Sequence, residues 1–206
     1  MHKIKNIVFD VGMVLADFRW ADYMRDKGIK EESIAVLGKE MVSNPLWDEL
    51  DLGIRSEQEI IEYFKEKLPA YERDIDAFFI DMEEMVVEFP YAYDWIADLK
   101  KRGLGVYLLS NYPKTLYDIH WSRFSFIDLV DGKVISSLEQ AVKPDEKIYR
   151  IFLERYALQP EECVFIDDRK ENVAGAIAVG MESFLFENYE QARVQLDDVI
   201  VKIKEE

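Results

Sequence analysis

The stretch FDVGMVLADF sets a single carboxylate, Asp10, at the end of an apolar run, with a glycine two residues later. Two further apolar runs also end in polar residues. Leu104 to Leu109 stops at Ser110-Asn111, and Cys163 to Ile166 stops at the acid pair Asp167-Asp168. A lysine, Lys143, stands before Pro144 where a helical pattern begins. Taken singly, each has an ordinary explanation: Asp and Ser serve turns and helix caps, and Lys-Pro is a common way into a helix. Together they change meaning, because open parallel sheets gather the residues that end their strands in one crevice. A carboxylate, a hydroxyl, an amide, a lysine and an acid pair in one crevice are suited to handling a small anion. At a net charge of −16, such an anion needs a locally positive site or a metal ion.

The elements that must position these residues follow from periodicity. The runs Ile4 to Phe9, Leu104 to Leu109 and Cys163 to Ile166 read as buried strands. Helix-period segments lie between and after the later runs, which predicts βα units around a parallel sheet. Tyr91 to Arg102 puts Trp95, Ile96 and Leu99 on one face and stops at Gly103. Asp145 to Tyr156 aligns Ile148, Ile151, Phe152 and Tyr156, with Pro144 in the first turn. Glu171 to Val179 ends at Gly180, and Leu196, Val199, Ile200 and Ile203 mark a last helix. The stretch 17–88 shows only helical patterns and no strand. In it, Ser56-Glu57-Gln58-Glu59 is a capping box that opens a helix through Ile60, Phe64 and Leu68. The expectation is a Rossmann-like, three-layer α/β core with a central parallel sheet from residues 1–16 and 89–206. A helical cap, 17–88, is inserted after the first strand on hinges near 16–18 and 88–90.

Composition removes several function classes. A 206-residue chain with 49% apolar and 13% aromatic residues buries a full core. The acidic balance argues against nucleic acid as a partner. Cys163 is the only cysteine, so no intramolecular disulfide forms, and its apolar setting reads as a small buried hydrophobe. No apolar run reaches membrane-spanning length and no signal-peptide core precedes the first strand, so a soluble, cytoplasmic protein is expected. His2 and His120 have no ligand partner in spacing, and a surface or packing role is expected of both. Phe89 to Tyr93 is expected to pack the insert against the core, with a tyrosine able to face the cleft. Trp47 to Arg55 has two readings of equal weight, a helix end turned by Gly53 or a loop over the cleft that selects the leaving group.

The set FDVG, LLSN, KPDEKIY and FIDDRKEN resembles the four motifs of the haloacid dehalogenase superfamily. More narrowly, DxGxVLxD, SNY, KPxxxIY and VFIDDRKENVAGAIAVG are similar to its phosphatases of sugar phosphates, including α-D-glucose 1-phosphate. The phosphatase domain of soluble epoxide hydrolases is a more distant likeness, and LWDELDLGIRSEQE carries the resemblance into the insert, which would then be a C1-type cap. The resemblance implies Mg²⁺-dependent hydrolysis of a small phosphorylated metabolite through an aspartyl-phosphate. Asp10 would be the nucleophile. Asp10, the Gly12 carbonyl and Asp168 would bind Mg²⁺, with Asp167 and Asn172 supporting them from behind. Ser110 and the Asn111 backbone N–H would bind phosphoryl oxygens, and Lys143 would neutralise the charge that develops. Physical chemistry agrees on the need for a cation, since unit charges 4 Å apart interact by about 4 kcal/mol at an effective dielectric of about 20. Oxygen ligands suit Mg²⁺.

The chain departs from that pattern beside the nucleophile. Most phosphatases of the superfamily carry an aspartate two residues on, as the acid that protonates the leaving oxygen and the base that activates water. Here that position is Gly12, followed by Met13, and position 19 is Arg. Without that acid, a preference for sugar 1-phosphates, aryl phosphates or acyl phosphates over alkyl esters is expected. Asp17 is a possible substitute, read here as a cap on the exit from the core. Three functions therefore compete: the phosphatase, a metal-independent 2-haloacid dehalogenase on the same fold, and a catalytically weak relative acting as a binding or regulatory module.

Overall fold

The computed structural model describes residues 4–202. Its centre is a strand with no polar side chain facing water: β1, Asn6–Phe9, buried along its whole length. Parallel strands flank it on both sides, β4 (Gly105–Ser110) and β6 (Cys163–Asp167), and each pairs residue for residue with Asn6 to Phe9. Beyond them lie β5 (Gly132–Ile135) and β7 (Glu182–Leu185), giving the order β5-β4-β1-β6-β7. All pairings in this sheet are parallel. Helices cover both faces, which is why the central strands read as unbroken apolar runs. On one face Ile7, Phe9, Val106 and Leu108 pack with α6 (Ala92–Lys101) and α11 (Tyr189–Lys202). On the other, Val8, Leu109, Val134 and Phe165 pack with α9 (Glu146–Arg155) and α10 (Lys170–Ala178). The three-layer α/β expectation holds.

Several details differ from the sequence reading. β5 and β7 have no apolar run because, as edge strands, they are only partly buried. Pro144 precedes Asp145, the N-cap of α9, and so lies outside the helix rather than in its first turn. Ile203 and His2 lie outside the described residues. The short helices α7 (Lys114–His120), after β4, and α8 (Ser136–Glu139), after β5, were not foreseen.

The stretch between the first and second halves of the core holds α1 (Trp20–Asp26), α2 (Glu31–Leu37), α3 (Leu46–Asp51), α4 (Glu57–Lys67) and α5 (Glu72–Phe78). Both halves of the Ser56–Glu59 capping box form. The stretch is not purely helical. β2 (Ala16–Phe18) and β3 (Val86–Glu88) make an antiparallel ribbon where the chain leaves and re-enters the sheet domain. Strands of three residues are too short to show a period of two, and their pairing joins distant parts of the chain. Asp17 sits opposite Val87 in this ribbon.

The aromatic cluster is also placed differently. Tyr91 stacks on Tyr189 of α11 at 4.4 Å between ring centres and donates its hydroxyl to the Val14 carbonyl. It ties the last helix to the loop after β1, and neither Tyr91 nor Tyr93 lines the cleft. His120 is buried, its Nδ1 against the Tyr112 hydroxyl and its Nε2 against the Met82 carbonyl, a packing role.

Candidate active site

The carboxyl ends of β1, β4 and β6 bring the foreseen residues together. Asp10 follows β1 and is 8% exposed. Its Oδ1 accepts from the Val11 N–H at 2.7 Å and from Ser110 Oγ, at the end of β4, at 2.8 Å. Lys143 Nζ stands 2.9 Å from the same oxygen and 2.6 Å from Asp167 Oδ2. The lysine is held between the two aspartates at 3% exposure. Burial works against its charge, but Asp10 and Asp167 outweigh burial and raise its pKa, so it stays cationic. Burial pushes Asp10 the other way, toward the protonated form. Lys143 opposes that shift, and Asp167 and Asp168 reinforce it.

Lys143 sits on a loop, and a loop lysine needs an anchor to hold such geometry. Asn111 supplies one. Its Oδ1 accepts from the Lys143 backbone N–H at 2.8 Å and its Nδ2 donates to the Lys143 carbonyl at 3.0 Å. The sequence reading assigned Asn111 through its backbone N–H and missed this clamp, which no local pattern announces.

The acid pair divides by occupancy. Asp167 is fully buried and both its oxygens are engaged: Oδ2 by Lys143, Oδ1 by the Arg169 N–H at 2.8 Å, and both by Asn172 Nδ2 at 3.0 and 3.1 Å. Among the described residues Asp168 makes no hydrogen bond to another side chain, and burial, with Asp167 beside it, raises its pKa. Ligand oxygens of Asp10, Asp167 and Asp168 lie within 4.8 Å of one another. Asp167 is already satisfied by protein donors, so Asp10 and Asp168 are the carboxylates left for a cation. The donor set is all oxygen, and the buried Asn172 Oδ1 has no partner. Such an orphaned acceptor suits a site completed by a hydrated hard ion.

Gly12 has open space around it: a Cβ built there meets no atom within 4 Å. Packing therefore does not impose glycine. The residues above Asp10 enclose a cavity of about 460 Å³. Phe18, Trp47, Tyr112 and Leu116 supply apolar wall, while Ser43, Asn44, Asp48, Asp51 and Arg169 supply polar wall. Trp47 to Arg55 contains the end of α3, turned at Gly53, and Trp47, Asp48 and Asp51 of that stretch line the cavity. Asp51 was not singled out beforehand; the only signal was the resemblance of LWDELDLG as a stretch.

An aspartate-centred crevice at the carboxyl edge of a parallel sheet places this chain among the α/β proteins that take their ligands at the strand ends. The chain belongs to the haloacid dehalogenase-like hydrolases, whose family model matches residues 4–180. It is 28% identical over 179 residues to a sesquiterpene phosphatase, astK, of Aspergillus oryzae, covering 86% of this chain and 87% of that one. It is 24% identical over 199 residues to the drimenol cyclase drtB of Aspergillus calidoustus, covering 95% of this chain but only 36% of that protein's length. Among solved structures, the magnesium complex of the HAD family enzyme bt-2542 from Bacteroides thetaiotaomicron shares the fold. The TM-score is 0.70 and the identity 22%, over 93% of this chain and 99% of that one.

Proposed function

We propose that this hydrolase is a Mg²⁺-dependent phosphatase of small phosphomonoesters, sugar phosphates among them, with residues 17–88 acting as a cap that closes the cleft. The observation that carries this reading is Asp10. Its Oδ1 is fixed by Ser110, Val11 and Lys143, while its Oδ2 takes no hydrogen bond among the described residues. The carboxylate is held in place without being used up, as a nucleophile should be.

Asp10 attacks phosphorus and the bond to the leaving oxygen breaks, giving an aspartyl-phosphate and the leaving oxyanion, which takes up a proton that the attacking water of the second step replaces. Water then attacks phosphorus, the Asp10–phosphorus bond breaks, and phosphate leaves. Ser110 and the Asn111 N–H bind phosphoryl oxygens, and Lys143, aimed by Asn111 and Asp167, offsets the charge spread over them in the transition state. Asp10, Asp168 and the Gly12 carbonyl would hold Mg²⁺, which supplies the positive charge that lets a dianion enter an acidic pocket. Asp167 and Asn172 keep that acidic loop in register. The cap excludes water from the phosphoryl group, and a cavity of about 460 Å³ with mixed walls suits a small metabolite. The names of a phosphatase relative and a magnesium-bound structural neighbour agree with this reading.

The dehalogenase reading is weaker on this geometry. Without a metal, Asp10, Asp167 and Asp168 crowd one site, and Lys143 and Arg169 do not offset the rise in the Asp168 pKa that burial and Asp167 cause. The binding-module reading leaves the Lys143 clamp without a purpose. A screen of phosphomonoesters with Mg²⁺ tests the proposal: turnover is expected with Mg²⁺, lost in EDTA and lost in Asp10→Asn. Turnover that survives Asp10→Asn, or metal-independent chloride release from 2-haloacids, overturns it.

A further inference from the structure

Gly12 leaves the phosphatase cycle without a group to move its proton at the usual place, but the roof of the cavity carries one. Asp51, the last residue of α3, lines the same cavity as Asp10, Gly12 and Asp168. Its carboxyl takes no hydrogen bond or ion pair among the described residues, so it is open to whatever the cavity holds. Its position is also referred to the core rather than to the insert alone. Gly53, two residues on, adopts φ +65°, and a Cβ there would meet the Ser137 carbonyl oxygen at 2.4 Å. That approach of backbone to backbone seats the end of α3 on the start of α8.

We propose that Asp51 is the general acid and base of the reaction, delivered from the insert in place of the side chain that position 12 lacks; this rests on the phosphatase reading above. In the first step the Asp10–phosphorus bond forms, the phosphorus–leaving oxygen bond breaks, and the Asp51 proton passes to that oxygen. In the second, the Asp51 carboxylate takes a proton from the attacking water as the Asp10–phosphorus bond breaks. The residue ends protonated, as it began, and phosphate is released.

The other acids of the region do not fit. Asp48 also lines the cavity but stands exposed to water on α3, whereas Asp51 is partly buried. Asp17 lies in the β2–β3 ribbon and does not line the cavity. Asp168 is placed for the cation, and the Tyr112 hydroxyl is engaged with His120. The charges around Asp51 favour a proton on it: burial, then Asp48 on its own helix and Asp10 below, push it up to about 7, against Lys143 and Arg169. A carboxyl poised near neutrality can serve in both directions. The leaving-group preference expected from Gly12 alone is thereby lifted, because alkyl esters have a proton donor after all.

The test compares kcat/KM for glycerol phosphate, whose alkoxide must be protonated to leave, and p-nitrophenyl phosphate, whose phenolate leaves unaided. Both are measured with Mg²⁺ in the wild type and in Asp51→Asn, with Asp51→Ser read the same way. The expected result is a loss of about 100-fold or more on glycerol phosphate and of less than about tenfold on p-nitrophenyl phosphate. Retained turnover of the aryl ester shows that the variant is folded. Equal losses on the two esters, or no loss on either, overturn the inference and leave the phosphatase reading standing. A wild type inert to every phosphomonoester overturns both.

Discussion

Asp51 should show its burial in stability as well as in rate. The fold raises its pKa from an ordinary 3.8 to about 7. Between those values the folded chain keeps a proton that the unfolded chain releases, so stability falls as pH rises, by about 1.4 kcal/mol per unit. Below pH 4 both states hold the proton and the effect vanishes; above pH 7 it is complete. Asp51→Asn removes the penalty. Urea unfolding is therefore expected to find the variant equal to the wild type near pH 4 and more stable at pH 8, by up to about 4 kcal/mol. A wild-type protein as stable as the variant at pH 8 would show that the fold does not raise the pKa of this carboxyl. Gain of stability on removing a working residue is the trade-off expected where a site holds an unfavourable charge.

Among the elements, the turn between α3 and α4 decides whether that carboxyl reaches the cleft. It is made of backbone, since only glycine both adopts φ +65° and allows the Ser137 carbonyl so close. Gly53→Ala is expected to cost on the order of 1–3 kcal/mol through strain and displacement, seen as a lower melting temperature. It is also expected to lower glycerol phosphate turnover more than p-nitrophenyl phosphate turnover, because the whole turn moves off the core and takes Asp51 with it. A melting loss with the two substrates affected equally would separate folding from positioning. The strands show the complementary case. β1, β4 and β6 announce themselves as apolar runs because both faces of each are covered. β5 and β7, at the edges, and β2 and β3, three residues long, carry no such signal.

For the molecule as a whole, an acidic chain with three clustered carboxylates should, on the proposed function, be steadied by Mg²⁺. Mg²⁺ at about 100 times its dissociation constant contributes about 2.7 kcal/mol, roughly 5–10 °C in melting temperature for a chain of this size. Differential scanning calorimetry is expected to show that rise in the wild type and little of it in Asp168→Asn. The same rise in both would remove Asp168 from the metal site. No helix among the described residues is long and apolar enough to cross a membrane.

The sheet centre and the inner half of the site are legible in the chain's own pattern. Asp10, Ser110, Lys143 and Asp167-Asp168 are legible because each is a polar residue at the end of a buried run or at the entry to a helix, and parallel topology then collects them. The rest arises only when the chain is folded. The Asn111 clamp on Lys143, the ribbon at the hinges, the open space around Gly12 and the seating of the end of α3 against Ser137 all depend on residues far apart in the chain. Hydrophobic periodicity records which face of an element is buried, but not which distant backbone will lie against it.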